Sequence, residues 1–213
     1  MRTLIAVPCM DSVPALFAQN LAMLRKVDET AVAFQIGSLV YTSRNNLAQK
    51  ALQMEADYVL WLDSDMTFTP DLMERMFKTL KEGDMDILTG LYFRRVPPYT
   101  PTLFDKLEMR GEICSWSQFD HIPAEPFEVG GCGFGCVLMK TDVFFDVQIK
   151  CGNFFAPIGN VGEDLAFCWR ARQCGYKIYC DPRIVCGHVG HIVVDNKFYE
   201  SYVAQRIQKN GDQ

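Results

Sequence analysis

Positive charge is scarce in this sequence, and so are long apolar runs. Its 213 residues include 21 Lys and Arg against 26 Asp and Glu, which gives a net charge of −5. Nucleic-acid-binding proteins usually present a basic face, so general DNA binding is disfavoured. No stretch approaches the roughly 20 apolar residues of a membrane span, and the apolar run after Arg2, about five residues long, is shorter than a signal-peptide core. We therefore expect no membrane span.

Cysteine spacing of the kind that binds zinc is also absent. The nine cysteines are an odd number and include no Cys-x-x-Cys pair, so neither a zinc ribbon nor a disulfide framework is predicted. Their neighbours in the sequence are mostly apolar, and a free cysteine behaves as a small buried hydrophobic residue. We therefore expect a reduced protein in the cytoplasm.

Internal repeats, low-complexity segments and linkers are absent as well, which favours a single domain over residues 1–213. About half of the residues are hydrophobic, and a chain of this length can form one sizeable core but is short for two. The glycines within 130–133 lack the Gly-x-x-x-x-Gly-Lys spacing of a phosphate-binding loop, and no Ser or Thr follows them to bind magnesium. That run is therefore not interpreted as a phosphate loop.

Strands and helices alternate over the first half of the sequence. Short runs rich in β-formers predict strands, and apolar residues at helical spacing predict helices. The predicted elements are strand Thr3–Val7, helix Pro14–Lys26, strand Ala31–Ile36, helix Ser43–Met54 with Ser43 as N-cap, strand Tyr58–Leu62, a helix from Pro70 to Gly83, and strand Ile87–Tyr92. This alternation indicates an α/β fold with a central, mostly parallel sheet flanked by helices.

The second half has a different composition. Residues 94–101 are rich in proline and cannot continue a central strand, and the sequence up to Phe127 is interpreted as loops. The elements predicted after it are strand Val137–Met139, helix Asp164–Gln173, strand Lys177–Cys180 and a terminal helix Phe198–Lys209. We expect the two halves, residues 1–93 and 94–213, to share one sheet.

The most informative segment is the run from Ala56 to Thr67. Tyr58–Leu62 is apolar throughout, as in a strand buried on both faces of a sheet. Asp63 and Asp65 follow where that strand leaves the core, and ligands of open α/β sheets bind outside the carboxyl ends of the strands. Two carboxylates there suit Mg²⁺ or Mn²⁺ when substrate phosphates complete the coordination shell. The alternative is an ordinary turn, in which aspartate is common.

Three further segments are informative, one before this strand in the sequence and two after it. They are Thr42–Leu52, which contains Arg-Asn-Asn, the glycine-rich Glu128–Met139, and Gly162–Pro182, which begins with Gly-Glu-Asp. Together with the Asp-Ser-Asp at 63–65, they resemble the GT-A glycosyltransferases, in particular the family 2-like enzymes, over most of the chain. The resemblance implies a GT-A fold in which residues 1–93 bind a nucleotide-diphosphate sugar and residues 94–213 face the acceptor. It also implies a hexosyltransferase-like enzyme that depends on Mn²⁺ or Mg²⁺.

The resemblance assigns metal contacts to particular residues. Asp65 would bind the metal directly, and Asp63 would contact the donor ribose or would bind the metal through water. In such enzymes a histidine late in the chain often supplies a further ligand. His188 fits the family position better, and His191 is the alternative.

The donor contacts implied by the resemblance lie near the first two strands. Arg44 would reach the diphosphate or the base, because an arginine fork suits phosphate oxygens. The nucleotide base would dock near Pro8, at the end of the first strand. Many relatives have an acid at the end of the second strand, whereas Gln35–Ser38 occupies that place here. The identity of the nucleotide therefore stays open.

Acceptor chemistry is implied for the Glu-Asp pair and for the glycine run. Asp164 would be the base that removes the proton from the acceptor hydroxyl in an inverting reaction, and Glu163 would hydrogen-bond the acceptor. The alternative is that both acids stabilise the first turn of a helix, where unpaired N–H groups favour carboxylates. Gly131, Cys132 and Gly133 would allow close approach of the backbone to a sugar.

The predicted function is transfer of a sugar from a nucleotide-diphosphate donor to a hydroxyl group of a glycan, a lipid-linked acceptor or a small molecule. One alternative is a nucleotidyltransferase of related fold, although no basic glycine-rich loop follows Val7. Another is a non-catalytic carbohydrate-binding protein, which would not need this set of acids and a histidine. A modified DNA base is a further possible acceptor, disfavoured by the acidic net charge.

Overall fold

A computed structural model describes the backbone of residues 1–27, 29–37, 39–111, 113–190 and 193–211, and the side chains of these residues as far as residue 204. The strands are β1 (Thr3–Cys9), β2 (Thr30–Ile36), β3 (Tyr58–Leu62), β4 (Met66–Thr67), β5 (Ile87–Leu91), β6 (Leu103–Phe104), β7 (Lys106–Arg110), β8 (Ile113–Ser117), β9 (Phe127–Val129), β10 (Gly131–Cys132), β11 (Cys136–Lys140), β12 (Ile178–Val185), β13 (Gly187–Val189) and β14 (Val193–Val194). The helices are α1 (Ala15–Met23), α2 (Val40–Gln53), α3 (Leu72–Glu82), α4 (Asp142–Cys151), α5 (Glu163–Gln173) and α6 (Asn196–Gly211).

The central sheet of the described residues has seven strands in the order β2-β1-β3-β11-β5-β12-β9. β1 pairs in parallel with β2 and β3, and β12 pairs in parallel with β5. β11 lies antiparallel between β3 and β5, and β9 is antiparallel to β12. Five strands thus share one direction, which confirms the mostly parallel α/β sheet predicted from the sequence.

Apolar side chains cover both faces of the central sheet. Leu4 and Ile5, neighbours in β1, point into different buried clusters, one on each face. Trp61 of β3 is fully buried, and its ring packs edge-on against the rings of Phe134 and Phe155. Burial on both faces explains why β3 is apolar along its whole length.

The start of two helices differs from the sequence prediction. α2 begins at Val40, with Leu39 rather than Ser43 at the N-cap position, and Ser43 is buried within the helix. α3 begins at Leu72, after a turn that contains Pro70. In both helices a buried face packs into the core, and such packing contributes more to helix stability than the preference of one capping residue.

The segment predicted as loops contains regular structure. β7 and β8 form an antiparallel hairpin, and β6 pairs with β10. In β7 the buried Leu107 and half-buried Met109 alternate with exposed charged residues, a period of two that fits a strand covered on one face. α4 was not predicted either; it ends at Cys151 and is followed by Gly152 in the left-handed conformation with φ 70°.

Within the described part of the chain, no helix combines the length and apolar character needed to cross a membrane. All nine cysteines are free thiols, and six of them are buried: Cys114, Cys132, Cys136, Cys168, Cys180 and Cys186. Burial in apolar surroundings is the environment that the sequence neighbours of these residues predicted.

A buried carboxylate connects α3 to β12. Asp181 is 1% exposed, and it accepts hydrogen bonds from the Thr79 hydroxyl at 2.7 Å and from Arg183 Nε at 2.8 Å. The Arg183 backbone N–H and Nη2 also donate to it, at 3.0 and 2.9 Å. Burial raises the pKa of Asp181, but the hydrogen bonds from Arg183 and Thr79 outweigh burial and hold that pKa below its ordinary value.

Asp181→Asn should lower the free energy of unfolding by about 1.5–3 kcal/mol, because hydrogen bonds to a charged group are lost. Since the folded-state pKa lies below the unfolded value of about 3.9, the contribution of the carboxylate is complete above that pH and is lost as the pH falls through the folded-state pKa. Urea unfolding of both proteins, near neutral pH and again below about pH 4, measures the difference.

The control for this prediction is Asp146→Asn. The Asp146 carboxylate is exposed and accepts one hydrogen bond, from the Tyr176 hydroxyl, so its loss should cost no more than about 1 kcal/mol. Equal losses of stability in the two variants, or a loss in Asp181→Asn that does not shrink in acid, would contradict the role of the Asp181 network.

Candidate active site

Asp63 and Asp65 lie at the carboxyl end of β3, as the sequence predicted. The backbone N–H of Val189 donates to the Asp65 carbonyl at 2.7 Å. β13 pairs with β4 in a register that sets His188 opposite Met66. A small sheet built from distant parts of the chain therefore brings His188 next to Asp65.

The side chains of Asp65 and His188 face each other. Nε2 of His188 lies 3.4 Å from Oδ2 of Asp65, and Nδ1 lies 2.9 Å from the carbonyl oxygen of Phe93. A carbonyl oxygen can only accept, so Nδ1 carries a proton and Nε2 is the nitrogen turned toward the carboxylate. Burial lowers the pKa of His188, but the hydrogen bonds to Asp65 and Phe93 raise it above its ordinary value.

Asp65 has a second partner, the cationic side chain of Arg95. Nη1 of Arg95 donates to Oδ2 of Asp65 at 2.7 Å, so this oxygen is in contact with both the guanidinium and the imidazole. Burial raises the pKa of Asp65, but His188 and Arg95 outweigh burial, and the pKa lies below its usual value. Asp65 is therefore an anionic group that already attracts cations.

Asp63 is held by a buried arginine. Arg44 in α2 is 3% exposed, and its Nη2 donates to Oδ1 and Oδ2 of Asp63 at 2.9 and 3.1 Å. Its Nε lies 3.5 Å from Oε1 of Glu163, and its guanidinium carbon lies 5.3 Å from the centre of the Phe134 ring. Nε and Nη1 have no hydrogen-bond partner within the described residues. Arg44 is thus a buried cation whose charge offsets part of the negative charge of Asp63 and Glu163.

Four carboxylates, those of Asp63, Asp65, Glu163 and Asp164, lie in this region. Desolvation raises the pKa of Asp63 to about 6; Arg44 opposes that rise, and the charges of Asp65, Asp164 and Glu163 add to it. Burial also raises the pKa of Glu163, with Arg44 again opposing. Four acids against two arginines leave an excess of negative charge, so additional positive charge would be bound favourably.

Two cavities meet at these side chains. The residues that line both cavities are Asp63, Arg95, Asp164 and His188. The smaller cavity, of about 400 Å³, is also lined by Pro8, Cys9, Arg44, Asp65 and Glu163. The larger cavity, of about 600 Å³, is also lined by Tyr92, Phe104, Trp116, Gln118 and Gly133. A separate cavity of about 570 Å³, near Asp57 and Lys140, is lined by none of the predicted site residues.

Glu163 and Asp164 are the first two residues of α5. The N-cap is Gly162, and no side chain caps the helix. Oδ1 of Asp164 accepts the backbone N–H of Leu165 at 2.8 Å. The alternative, that these acids stabilise the first turn of the helix, therefore accounts for one oxygen of Asp164, but it gives no reason for the position of this carboxylate between the two cavities.

Close packing on Tyr92 explains part of the glycine run. The Gly135 N–H donates to the Tyr92 hydroxyl at 2.9 Å, and a Cβ on Gly133 would lie 2.2 Å from the same hydroxyl oxygen. Gly133 lines the larger cavity. Gly131 and Cys132 are buried behind it, so the structure does not bring these two residues to the cavity wall.

The residues predicted to bind donor and metal come together in the smaller cavity: Pro8, Arg44, Asp63, Asp65 and His188. The other histidine candidate, His191, lies outside the described residues. Across the ranges that the structure describes, no three His, Cys, Asp or Glu side chains are grouped as a complete metal site. Asp65 and His188 nevertheless fit a cation that takes its other ligands from substrate and water, since the bond from Nδ1 to Phe93 orients the ring as in many metal-binding histidines.

Sequence reasoning did not identify Arg95 or Tyr92. Tyr92 follows β5 directly and Arg95 comes three residues later, at the same edge of the sheet as Asp63. Their position after a buried strand was a usable signal, because side chains at the carboxyl ends of parallel strands meet at one edge. The sequence from residue 94 is rich in proline and was interpreted as a loop, so its side chains were not considered as part of the site.

Solved structures share this fold. The chain is similar to the crystal structure of A197 from STIV, with 21% identity and a TM-score of 0.67 over 89% of this chain and 86% of that chain. It is also similar to the crystal structure of GalNAc-T7 with UDP, GalNAc and Mn²⁺, with 11% identity and a TM-score of 0.61. That alignment covers 89% of this chain and 43% of the other, so this chain spans less than half the length of that protein.

Sequence comparison identifies the family. No curated protein sequence matches the chain significantly. The model described as Glycosyl transferase family 2 matches residues 40–147, half of the chain, and this range includes Arg44, Asp63 and Asp65. Its match agrees with the GT-A fold of the structural neighbours. The chain therefore belongs to glycosyl transferase family 2, and it is a glycosyltransferase of the GT-A fold.

Proposed function

We propose that this glycosyltransferase moves a sugar from a nucleotide-diphosphate donor to a hydroxyl acceptor, with inversion at the anomeric carbon. The observation that carries the proposal is the pair of cavities that share Asp63, Asp164 and His188. The smaller cavity would take the donor and the larger one the acceptor. Transfer then takes place where the cavities meet, next to the carboxylate proposed as base.

The proposed metal ligands are Asp65 and His188, which support Mn²⁺ or Mg²⁺ binding by their facing Oδ2 and Nε2 atoms. GalNAc-T7 was crystallised with UDP and Mn²⁺, which supports the same class of donor and metal here. Bound there, a divalent cation supplies positive charge to the departing diphosphate. Asp63 remains a proposed contact for the donor ribose or for metal-bound water, with Arg44 holding its carboxylate in place.

On the acceptor side, the larger cavity presents an aromatic ring and polar groups. Trp116 is 47% exposed and lines the cavity together with Phe104 and Gln118. An aromatic face beside an amide suits a sugar ring, which has apolar C–H faces and polar edges. A carbohydrate acceptor, free or lipid-linked, is therefore favoured over a modified DNA base, which the net charge of −5 also disfavours.

Asp164 is the proposed base. Its carboxylate would take the proton of the acceptor hydroxyl while that oxygen attacks the anomeric carbon. The bond between the anomeric carbon and the diphosphate oxygen breaks, and the nucleoside diphosphate leaves with the bonding electrons. Glu163, the preceding residue of α5, is proposed to hydrogen-bond the acceptor. Both acids lie outside residues 40–147, so support for their roles comes from their place in the site.

The proposed function is tested with a panel of UDP-, GDP-, ADP- and dTDP-sugars. The purified protein should hydrolyse or transfer from at least one donor in the presence of Mn²⁺ or Mg²⁺, and EDTA should abolish the reaction because the diphosphate then lacks its counter-charge. Activity that survives EDTA would contradict the metal. Binding of sugars without turnover of any donor would favour the non-catalytic alternative.

Asp65→Asn should weaken Mn²⁺ binding by at least about 10- to 100-fold, because the loss of a direct ligand should cost no less than the loss of an outer contact. Isothermal titration with Mn²⁺ measures the affinity. The matched control is Asp120→Asn, an exposed acid outside both cavities, which should leave the affinity unchanged. Equal affinities of all three proteins would remove Asp65 from the metal site.

Asp164→Asn should lower the turnover rate by about 10²- to 10⁴-fold with little change in donor affinity, because only the proton acceptor is lost. The amide oxygen can still accept the Leu165 N–H, so the melting temperature should be preserved. Asp142→Asn, at the exposed first residue of α4, is the control for removing an acid from a helix start. A near-normal rate in Asp164→Asn, or a product that keeps the donor's anomeric configuration, would exclude an inverting base at this position.

A further inference from the structure

We propose that Arg95 is a ligand of the donor diphosphate, and that in the protein without donor and metal it neutralises Asp65 by pairing with the oxygen that faces His188. This inference rests on the proposed function, since it concerns the same donor. It adds a specific binding residue to the donor site. It also means that this residue exchanges partners when the site is loaded.

The contacts of Arg95 place its positive charge beside Asp65, where the proposed metal would bind. Its Nη1 lies 2.7 Å from Oδ2 of Asp65 and 3.3 Å from the carbonyl oxygen of Val189. The same Oδ2 atom lies 3.4 Å from Nε2 of His188. The guanidinium therefore occupies part of the coordination space around the oxygen that the proposed metal would use. A cation bound at Oδ2 and the present Arg95 contact would compete for the same lone pairs.

The side chain of Arg95 can leave Asp65 without rearrangement of the backbone. It is 49% exposed, in contrast to the 4% exposed side chain of Arg44. The backbone on either side is held by hydrogen bonds from Arg94 N–H to the Thr100 carbonyl and from Tyr99 N–H to the Val96 carbonyl. A half-exposed arginine on a fixed backbone exchanges partners by rotation about its own side-chain bonds.

The position of Arg95 identifies its second partner. Arg95 lines both cavities, as do Asp63, Asp164 and His188, so its guanidinium lies where donor and acceptor would meet. The other three shared residues do not supply a permanent positive charge. When a donor enters the smaller cavity, its diphosphate brings new negative charge beside Arg95, and the planar guanidinium suits two phosphate oxygens at once.

Arg95→Gln tests the exchange because it should change two affinities in opposite directions. Without nucleotide, Mn²⁺ alone should bind about two- to fivefold more tightly to the variant, because a partly exposed competing ion pair is gone. At saturating Mn²⁺, UDP or GDP should bind about 10- to 100-fold more weakly, because a charged hydrogen-bond donor to phosphate is lost. Isothermal titration measures both values without any turnover.

Arg95→Lys keeps the charge but not the planar fork, so its nucleotide affinity should lie between those of the wild type and Arg95→Gln. Arg110→Gln removes an exposed arginine from the β7–β8 hairpin, outside both cavities, and should change neither affinity. This control separates a local effect from a change in net charge.

Three results would overturn the inference. If both affinities fall in Arg95→Gln, the arginine merely positions Asp65. If neither changes while the wild type binds Mn²⁺ and nucleotide, Arg95 has no part in donor binding and the proposed function still stands. If the wild type binds neither Mn²⁺ nor any nucleotide, the proposed function fails and the role of Arg95 fails with it.

Discussion

The ion pair between Arg44 and Asp63 is the contact on which the geometry of the site depends. It joins α2 to the end of β3, and the same guanidinium lies near Glu163 at the start of α5 and over the ring of Phe134. Burying a charge costs free energy unless partners compensate for it. Four segments of the chain must therefore stay close to the guanidinium, and the two cavities form between them.

Strand order explains how residues far apart in sequence reach this place. β11 lies between β3 and β5, so the loop before it passes the end of β3, and the Asp63 N–H donates to the Gly135 carbonyl at 3.1 Å. The small β4–β13–β14 sheet then places His188 beside Asp65. The pairings are regular, although those of β11 with β3 and of β13 with β4 join strands far apart in the sequence. Together they bring residues more than 120 positions apart within side-chain contact, as Asp65 and His188 show.

The parts of the site that could be predicted are those whose residues lie close together in the sequence. An apolar strand followed by Asp63 and Asp65 specifies both the element and its exposed end, and Glu163 and Asp164 open a helix as expected. The antiparallel insertion of β11 could not be predicted, because strand order depends on pairings between distant segments. The place of Arg95 after β5 was a usable signal, but the pairing of Arg95 with Asp65 could not be predicted. Its partner Asp65 is 30 residues away, and nothing in the local sequence indicates the pairing.

Burial was the second property that local sequence did not reveal. Gly131 and Cys132 have the composition of a flexible loop, yet they are covered by Leu107, Leu165 and Cys168, so their packing requirement is a small side chain rather than freedom of the backbone. Ser43 has the composition of a cap but lies inside α2. In each case tertiary packing decided the structure. Propensity describes an isolated segment and carries no information about the partner that covers it.

The two acids of the Asp-x-Asp motif illustrate how packing assigns different chemistry to like residues. Burial near other carboxylates raises the pKa of Asp63 to about 6 despite Arg44, whereas His188 and Arg95 hold the pKa of Asp65 below its usual value. Acids whose environments separate their pKa values in this way are suited to different tasks. In the proposed metal site Asp65 suits a cation, because its lowered pKa favours the charged carboxylate and because its guanidinium partner, Arg95, is half-exposed and can be exchanged. Asp63 already has a buried arginine as partner, which favours a fixed contact to the donor over direct metal binding.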